Sequence, residues 1–128
     1  LLCYLVAIPW ANAVDVSTFT DLSNECQTDN ADITVTGDIT FTNVITISGK
    51  TVSITSTSGA TLTSNREFDS SSGGMLYITS SSVTLSGLQF VSGSATTEGG
   101  CVYAGSGSDL IVDSSSFTEC SAVSSYFT

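Results

Sequence analysis

The sequence predicts an all-β fold, a right-handed parallel β-helix (a solenoid) of about four coils entered through a short N-terminal capping segment. Three observations predict it. From Ala31 onward, apolar and polar residues alternate in runs of three to five, broken by corners of two or three residues. A motif pair recurs at an offset of 26 to 27 residues. Charge is sparse, at 11% of residues against 41% hydrophobic, and Ser and Thr fill about a third of the chain. β-Branched apolar residues among small hydroxyl residues suit strands and turns.

The first thirteen residues read as a signal peptide. Leu1 to Ile8 is apolar, Pro9 stops a helix, and Ala11-Asn12-Ala13 offers a small-x-small cleavage pattern ending between Ala13 and Val14. The run falls short of the ~20 residues needed to span a bilayer. A buried N-terminal strand or helix is the plainer alternative. Residues 14–30 read as a cap, with Asp15 to Glu25 predicted as a short amphipathic helix carrying Phe19 and Leu22 three positions apart. Such a helix would cover the unpaired backbone at the end of a stack of strands.

Residues 31–128 read as the coils. Asp32-Ile33-Thr34-Val35-Thr36 alternates and Gly37 breaks it; Asp38-Ile39-Thr40-Phe41-Thr42 alternates again up to Asn43. Ile45-Thr46-Ile47 and Thr51-Val52-Ser53-Ile54-Thr55 follow, with Ser48-Gly49-Lys50 between them. Strands this short are uncomfortable in a sandwich and suit the faces of a solenoid. The chain begins without Met and stops at Thr128, and is read as an N-terminal piece of a longer protein, incomplete at its C-terminus.

The repeat supplies the register. Gly73-Gly74-Met75-Leu76-Tyr77 recurs as Gly99-Gly100-Cys101-Val102-Tyr103, and Val83-Thr84-Leu85 as Leu110-Ile111-Val112. Phe90 recurs as Phe117 and Ala95 as Ala122, with one extra residue near Gly105-Ser106-Gly107. A period in the twenties marks one supersecondary unit that buries its apolar face only by stacking on the next. At ~25 residues per coil and ~4.8 Å between coils, Phe90 should lie over Phe117, Tyr77 over Tyr103 and Leu85 over Val112. These ladders would fill an interior that excludes charge. The paired glycines allow positive φ or close backbone approach at a corner.

Gly-Gly followed by a small residue, an aliphatic and Tyr, then Phe with Ala five residues on, resembles the repeats of polymorphic outer membrane proteins and pectin-lyase-like β-helix proteins. Gly73 to Leu76 and Gly99 to Val102 match the first element of those repeats. Phe90 to Gly93 and Phe117 to Cys120 match the second in part, with Gly93 and Cys120 where the family has Asn. The resemblance implies an extracellular surface protein with adhesive or structural roles, no cofactor and no catalytic residues to carry over.

The chemistry expected is that of a surface, not of a reaction centre. Twelve carboxylates against Lys50 and Arg66 leave a net charge of −10, which repels phosphate backbones and anionic lipid and excludes nucleic acid as a partner. Solubility or loose binding of divalent cations are the two uses of such a balance, and no residue set is assigned to a metal. Histidine is absent, which removes the commonest acid–base group and any Ser–His pair. Asp109 and Asp113, four apart on one strand, lie ~13 Å apart, beyond the ~5–9.5 Å of a glycosidase pair. Gly105 to Ile111 is similar to one copy of a calcium-binding nonapeptide, but such sites share ions between consecutive copies. Ser70-Ser71-Ser72 and Ser114-Ser115-Ser116 read as solvated corners.

With the leader and its Cys3 removed, Cys26, Cys101 and Cys120 remain. A disulfide between Cys101 and Cys120 is one reading of this odd number, and cysteines buried as small hydrophobes in a stacked core are the other. There is no Asn-x-Ser/Thr sequon. The expected function is a secreted or cell-surface scaffold, adhesin-like, meeting an extracellular polysaccharide or a cell-surface protein. Two alternatives stand beside it. The first is the front of a β-helical polysaccharide lyase, hydrolase or epimerase whose site lies in later coils. The second is a passenger that meets the membrane only through a C-terminal barrel.

Overall fold

The structure, a computed structural model, describes residues 13–65 and 72–122. Its first part runs β1 (Val14–Val16), α1 (Phe19–Glu25), β2 (Ala31–Val35), β3 (Ile39–Phe41) and β4 (Ile45–Ser48). Next come β5 (Thr51–Thr55), β6 (Thr61–Ser64) and β7 (Leu76–Thr79), then β8 (Ser82–Ser86), β9 (Gln89–Val91), β10 (Ser94–Ala95) and β11 (Val102–Ala104). The described chain ends with β12 (Asp109–Asp113), β13 (Ser116–Thr118) and β14 (Ser121–Ala122). The protein is all-β, and every strand pairing is parallel.

Apart from the consecutive pair β1 and β2, strands three or four places apart in sequence become neighbours. Sheet A orders β1-β2-β5-β8-β12, sheet B β13-β9-β6-β3 and sheet C β11-β7-β4, with β10-β14 as a small fourth sheet. From β2 on, the described chain visits sheets A, B and C in the same order, circuit after circuit. Its steps are uneven: Ala31 lies opposite Val52, Thr51 opposite Ser82 and Ser82 opposite Asp109, offsets of 21, 31 and 27 residues. The expected ~25 holds only as a mean, because corners absorb insertions that strands in register cannot. The later circuits pair as the repeat requires, with Tyr77 opposite Tyr103, Val83 opposite Leu110, Phe90 opposite Phe117 and Ala95 opposite Ala122.

The inward positions form one core. Ile33, Ile54 and Leu85 succeed one another in sheet A, Ile39, Leu62 and Phe90 in sheet B, and Ile45 and Leu76 in sheet C. All are buried. The buried polar residues are Ser56, Ser64 and Ser81, and no charged residue is buried among those described. Like stacked on like leaves no room for an unpaired charge, whose burial would cost several kcal/mol.

Corners are held by backbone geometry and side-chain acceptors. Gly73 and Gly99 both have φ of 62°, a left-handed conformation that suits a residue without Cβ. A Cβ on Gly74 would strike the backbone of Gly100 and Ser94, so the two circuits approach as closely as glycine permits. The Asp29 carboxylate accepts the Thr51 N–H at 2.9 Å and the Asp38 carboxylate accepts the Thr61 N–H at 2.8 Å. Each bond ties the start of one strand to the circuit before it.

The N-terminal segment differs from the expectation. The predicted helix over Asp15 to Glu25 is shorter: Val14–Val16 pairs with Ile33–Val35 as a strand, and α1 begins at Phe19. Thr18 decides the boundary, its extended backbone and its hydroxyl, which accepts the Asp21 N–H at 3.2 Å, making it the N-cap. Leu22 is fully buried and Phe19 meets Phe41 edge to face at 5.2 Å. The Gln27 side chain donates to the Thr46 carbonyl at 3.0 Å, satisfying an acceptor on edge strand β4.

Two ladder expectations need correction. The Tyr77 and Tyr103 rings do stack, at 5.2 Å and 9°, but on the outside, since Leu76 and Ile78 take the inward positions of β7. Phe117 stacks on Phe90 at 5.0 Å and 7° yet is 44% exposed, and Val112 is 42% exposed. Among the described residues nothing lies over their far side. Phe90 is therefore covered on both faces and Phe117 on one. Phe90→Ala should cost about 3–5 kcal/mol of unfolding free energy, against about 1 kcal/mol for Phe117→Ala. Equal losses in urea denaturation would contradict this placement.

Candidate functional site

The broadest ordered array of polar side chains lies on the outer face of sheet A. In β2, β5 and β8 the residues at Ile33, Val35, Val52, Ile54, Val83 and Leu85 point inward, so the alternate positions face out. Parallel register lines these up in three rows. Asp32, Ser53, Thr84 and Ile111 form the central row. Asp15, Thr34, Thr55, Ser86 and Asp113 form a second. Thr51, Ser82 and Asp109 form a third. Neighbouring members of a row are ~4.8 Å apart, and the rows are ~7 Å apart.

A shallow groove of about 340 Å³ crosses this face, lined by Asn30, Asp32, Thr51, Ser53, Ser82 and Thr84 among others. A second hollow of about 300 Å³ adjoins it at the corner before sheet A, lined by Asp29, Lys50, Ser80, Ser81 and Asp109 and sharing Thr51 and Ser82 with the first. Thr55 donates its hydroxyl to the Ile33 carbonyl at 3.4 Å. The hydroxyls of Thr34, Ser53, Ser82, Thr84 and Ser86 make no hydrogen bond among the described residues and are available to a ligand. At the corner, the N–H groups of Thr51 and Asn30 hold the Asp29 carboxyl below its usual range, with Lys50 adding to the effect. Asp29 is thus an anion under all but strongly acidic conditions.

Asp109 and Asp113 stand opposite Ser82 and Ser86, both outward on β12, and no carboxylate ladder forms between these circuits. Lys50 sits beside Asp29 and Asp109 in the corner hollow. Arg66, Ser70, Ser71 and residues 1–12 of the leader reading lie outside the described residues. Gly105 to Ser108 form a turn, with the Gly105 N–H on the Ile78 carbonyl and the Ser108 N–H on the Gly105 carbonyl. Ser115 is no free solvated corner: its hydroxyl accepts the Leu88 N–H at 3.1 Å and donates to the Asp113 carbonyl at 3.0 Å. Among the described residues no three Asp, Glu or Cys side chains converge as a cation cage.

Cys101 and Cys120 are joined by a disulfide, with Cα atoms 5.2 Å apart and a sequence separation of 19. It closes the last described circuit over Gly93, where any Cβ would strike Cys101. Cys26 is a free, fully buried thiol whose pKa burial pushes up to about 12, with Glu25 adding to the rise. That burial is one of the two readings the sequence leaves open for its cysteines. Sequence reasoning missed Glu98, whose charge and hydrogen bond raise the Tyr103 phenol above its ordinary value.

Compared with known proteins, the chain matches no family model, no curated protein and no solved structure. Among the described residues, no helix is long and apolar enough to cross a membrane. The site is therefore read from its own geometry.

Two outcomes follow. Replacing Cys101 and Cys120 by Ser should lower the unfolding free energy by about 3 kcal/mol, the loop-closure cost of a link of this length, seen as a lower urea midpoint. In the folded state Cys26 should resist alkylation at about pH 8, since burial and a scarce thiolate both suppress reaction. Its raised pKa also means that stability is undiminished below the unfolded thiol's value near 9.0 and falls as pH climbs toward 12. Rapid alkylation without unfolding would refute the buried placement.

Proposed function

We propose that the chain winds as a right-handed parallel β-helix and acts as a secreted or cell-surface scaffold, without catalysis of its own, that holds an extracellular polysaccharide against the outer face of sheet A. The constant order of sheets supports the winding, and parallel strand crossovers are right-handed in ~98% of cases. The Gly-Gly and Phe motifs, placed in register at Gly73 over Gly99 and Phe90 over Phe117, support the resemblance to polymorphic outer membrane protein and pectin-lyase-like repeats. A disulfide fits an oxidising compartment, as does the small-x-small pattern ending at Ala13.

One observation carries the functional reading: three parallel rows of outward residues, mostly hydroxyls and carboxylates, two of which line a groove of about 340 Å³ through Asp32, Ser53, Thr84, Thr51 and Ser82. Polysaccharides are bound through many weak hydrogen bonds spread along a chain, and a regular row of unpaired hydroxyls supplies them. The same face argues against hydrolysis, since Asp109 and Asp113 are ~13 Å apart on one strand, too far to share a glycosidic bond.

The test is retention on a panel of insoluble and soluble polysaccharides, with the size of the soluble polymer followed afterwards. The expected outcome is retention of the chain by at least one polysaccharide with no shortening of the polymer and no new reducing ends. Ser53→Val with Thr84→Val should weaken retention about tenfold or more. Polymer shortening would replace this reading with an enzymatic one.

A further inference from the structure

We propose that the polymer held on the outer face of sheet A is cationic, a chain of unacetylated amino sugars, seated where β12 presents Asp109, Ile111 and Asp113 together. This inference rests on the polysaccharide reading above and narrows it to one ligand class. Two independent features of the face carry it.

The first is charge. Asp15, Asp32, Asp109 and Asp113 stand in the three rows and Asp29 lines the adjoining corner, against Lys50 as the one described cation beside them. The second row carries carboxylates on β1 and β12, Asp15 and Asp113, with Thr34, Thr55 and Ser86 between. A neutral sugar meets these carboxylates through hydroxyl hydrogen bonds alone, and an anionic one is repelled. An ammonium group answers them.

The second is apolar. Ile111 stands opposite Thr84 in the central row, an aliphatic side chain in an outward position and 60% exposed. Its neighbours on that face of the strand are Asp109 and Asp113, each ~7 Å away. Carboxylate, aliphatic, carboxylate is the wrong pattern for a bare metal ion, which wants oxygen ligands alone. It suits a pyranose ring, whose C–H face rests on an aliphatic side chain while its substituents reach the flanking acids. The circuit spacing of ~4.8 Å is comparable with the advance of one such ring, so successive sugars meet successive circuits along a row. The unpaired hydroxyls of Ser53, Thr84, Ser82 and Ser86 then receive the ring hydroxyls.

Titration calorimetry of the full chain with three oligosaccharides of equal length decides the matter: glucosamine, N-acetylglucosamine and galacturonate oligomers. The glucosamine oligomer is expected to bind at least about tenfold more tightly than either of the others, and to weaken as salt is raised. Asp109→Asn with Asp113→Asn should weaken it about tenfold, Ile111→Ser several-fold, and Glu25→Gln on α1 not at all. Circular dichroism confirms that each variant is folded. If the acetylated oligomer binds as tightly as the glucosamine one, the cationic assignment falls while the polysaccharide reading stands. Absence of binding to all three, together with no retention on the polysaccharide panel, overturns both. Oligolysine of matched charge binding as tightly, with no loss in Ile111→Ser, would show that the face selects charge alone and would also overturn the proposal.

Discussion

Everything in this protein depends on parallel register between successive circuits. A strand of three to five residues has too little surface to bury alone, and its backbone groups are satisfied only by the strands on either side. Register brings Ile33 to Ile54 to Leu85 and Leu62 to Phe90 into lines, so each inward residue is covered by its counterpart. A slip of one residue would send that whole set to the solvent face. The scarcity of charge follows directly, because any ionised group at an inward position would be repeated against the next circuit.

Register also explains why corners carry the irregularity. Offsets of 21, 31 and 27 residues coexist with unbroken pairing, so insertions are confined to the turns. The corners then need their own bonds. Asp29 and Asp38 accept from N–H groups of the next circuit, Ser115 accepts from the Leu88 N–H of the preceding one, and glycines at 74 and 100 remove the side chain where backbones meet. The disulfide adds a covalent tie where stacking is one-sided among the described residues.

The outer face inherits its order from the inner one. Because side chains alternate, a ladder of buried aliphatics in sheet A requires a ladder of outward residues at the same spacing, and here these are mostly hydroxyls and carboxylates. A flat, repetitive polar face is suited to a repetitive ligand. The Tyr77–Tyr103 stack shows that outward ladders can also be aromatic.

The sequence by itself determined the strands from Ala31 to Thr55 and the register of the later circuits, since alternation and the offset between Gly73 and Gly99 are properties of a linear string. Phe90 over Phe117 and Asp109 opposite Ser82 were equally legible. The earlier steps were not, because the first circuits lack the Gly-Gly and Phe motifs that mark a period. Only the tertiary structure decided that Val14–Val16 is a strand, since its pairing partner lies across the helix in β2. It alone put the Tyr ladder outside, left Phe117 half covered, joined Cys101 to Cys120 and gathered Asp29, Lys50 and Asp109 into one hollow. The reason is physical: periodicity tells which residues share a face, but which neighbour covers that face is a property of the stack.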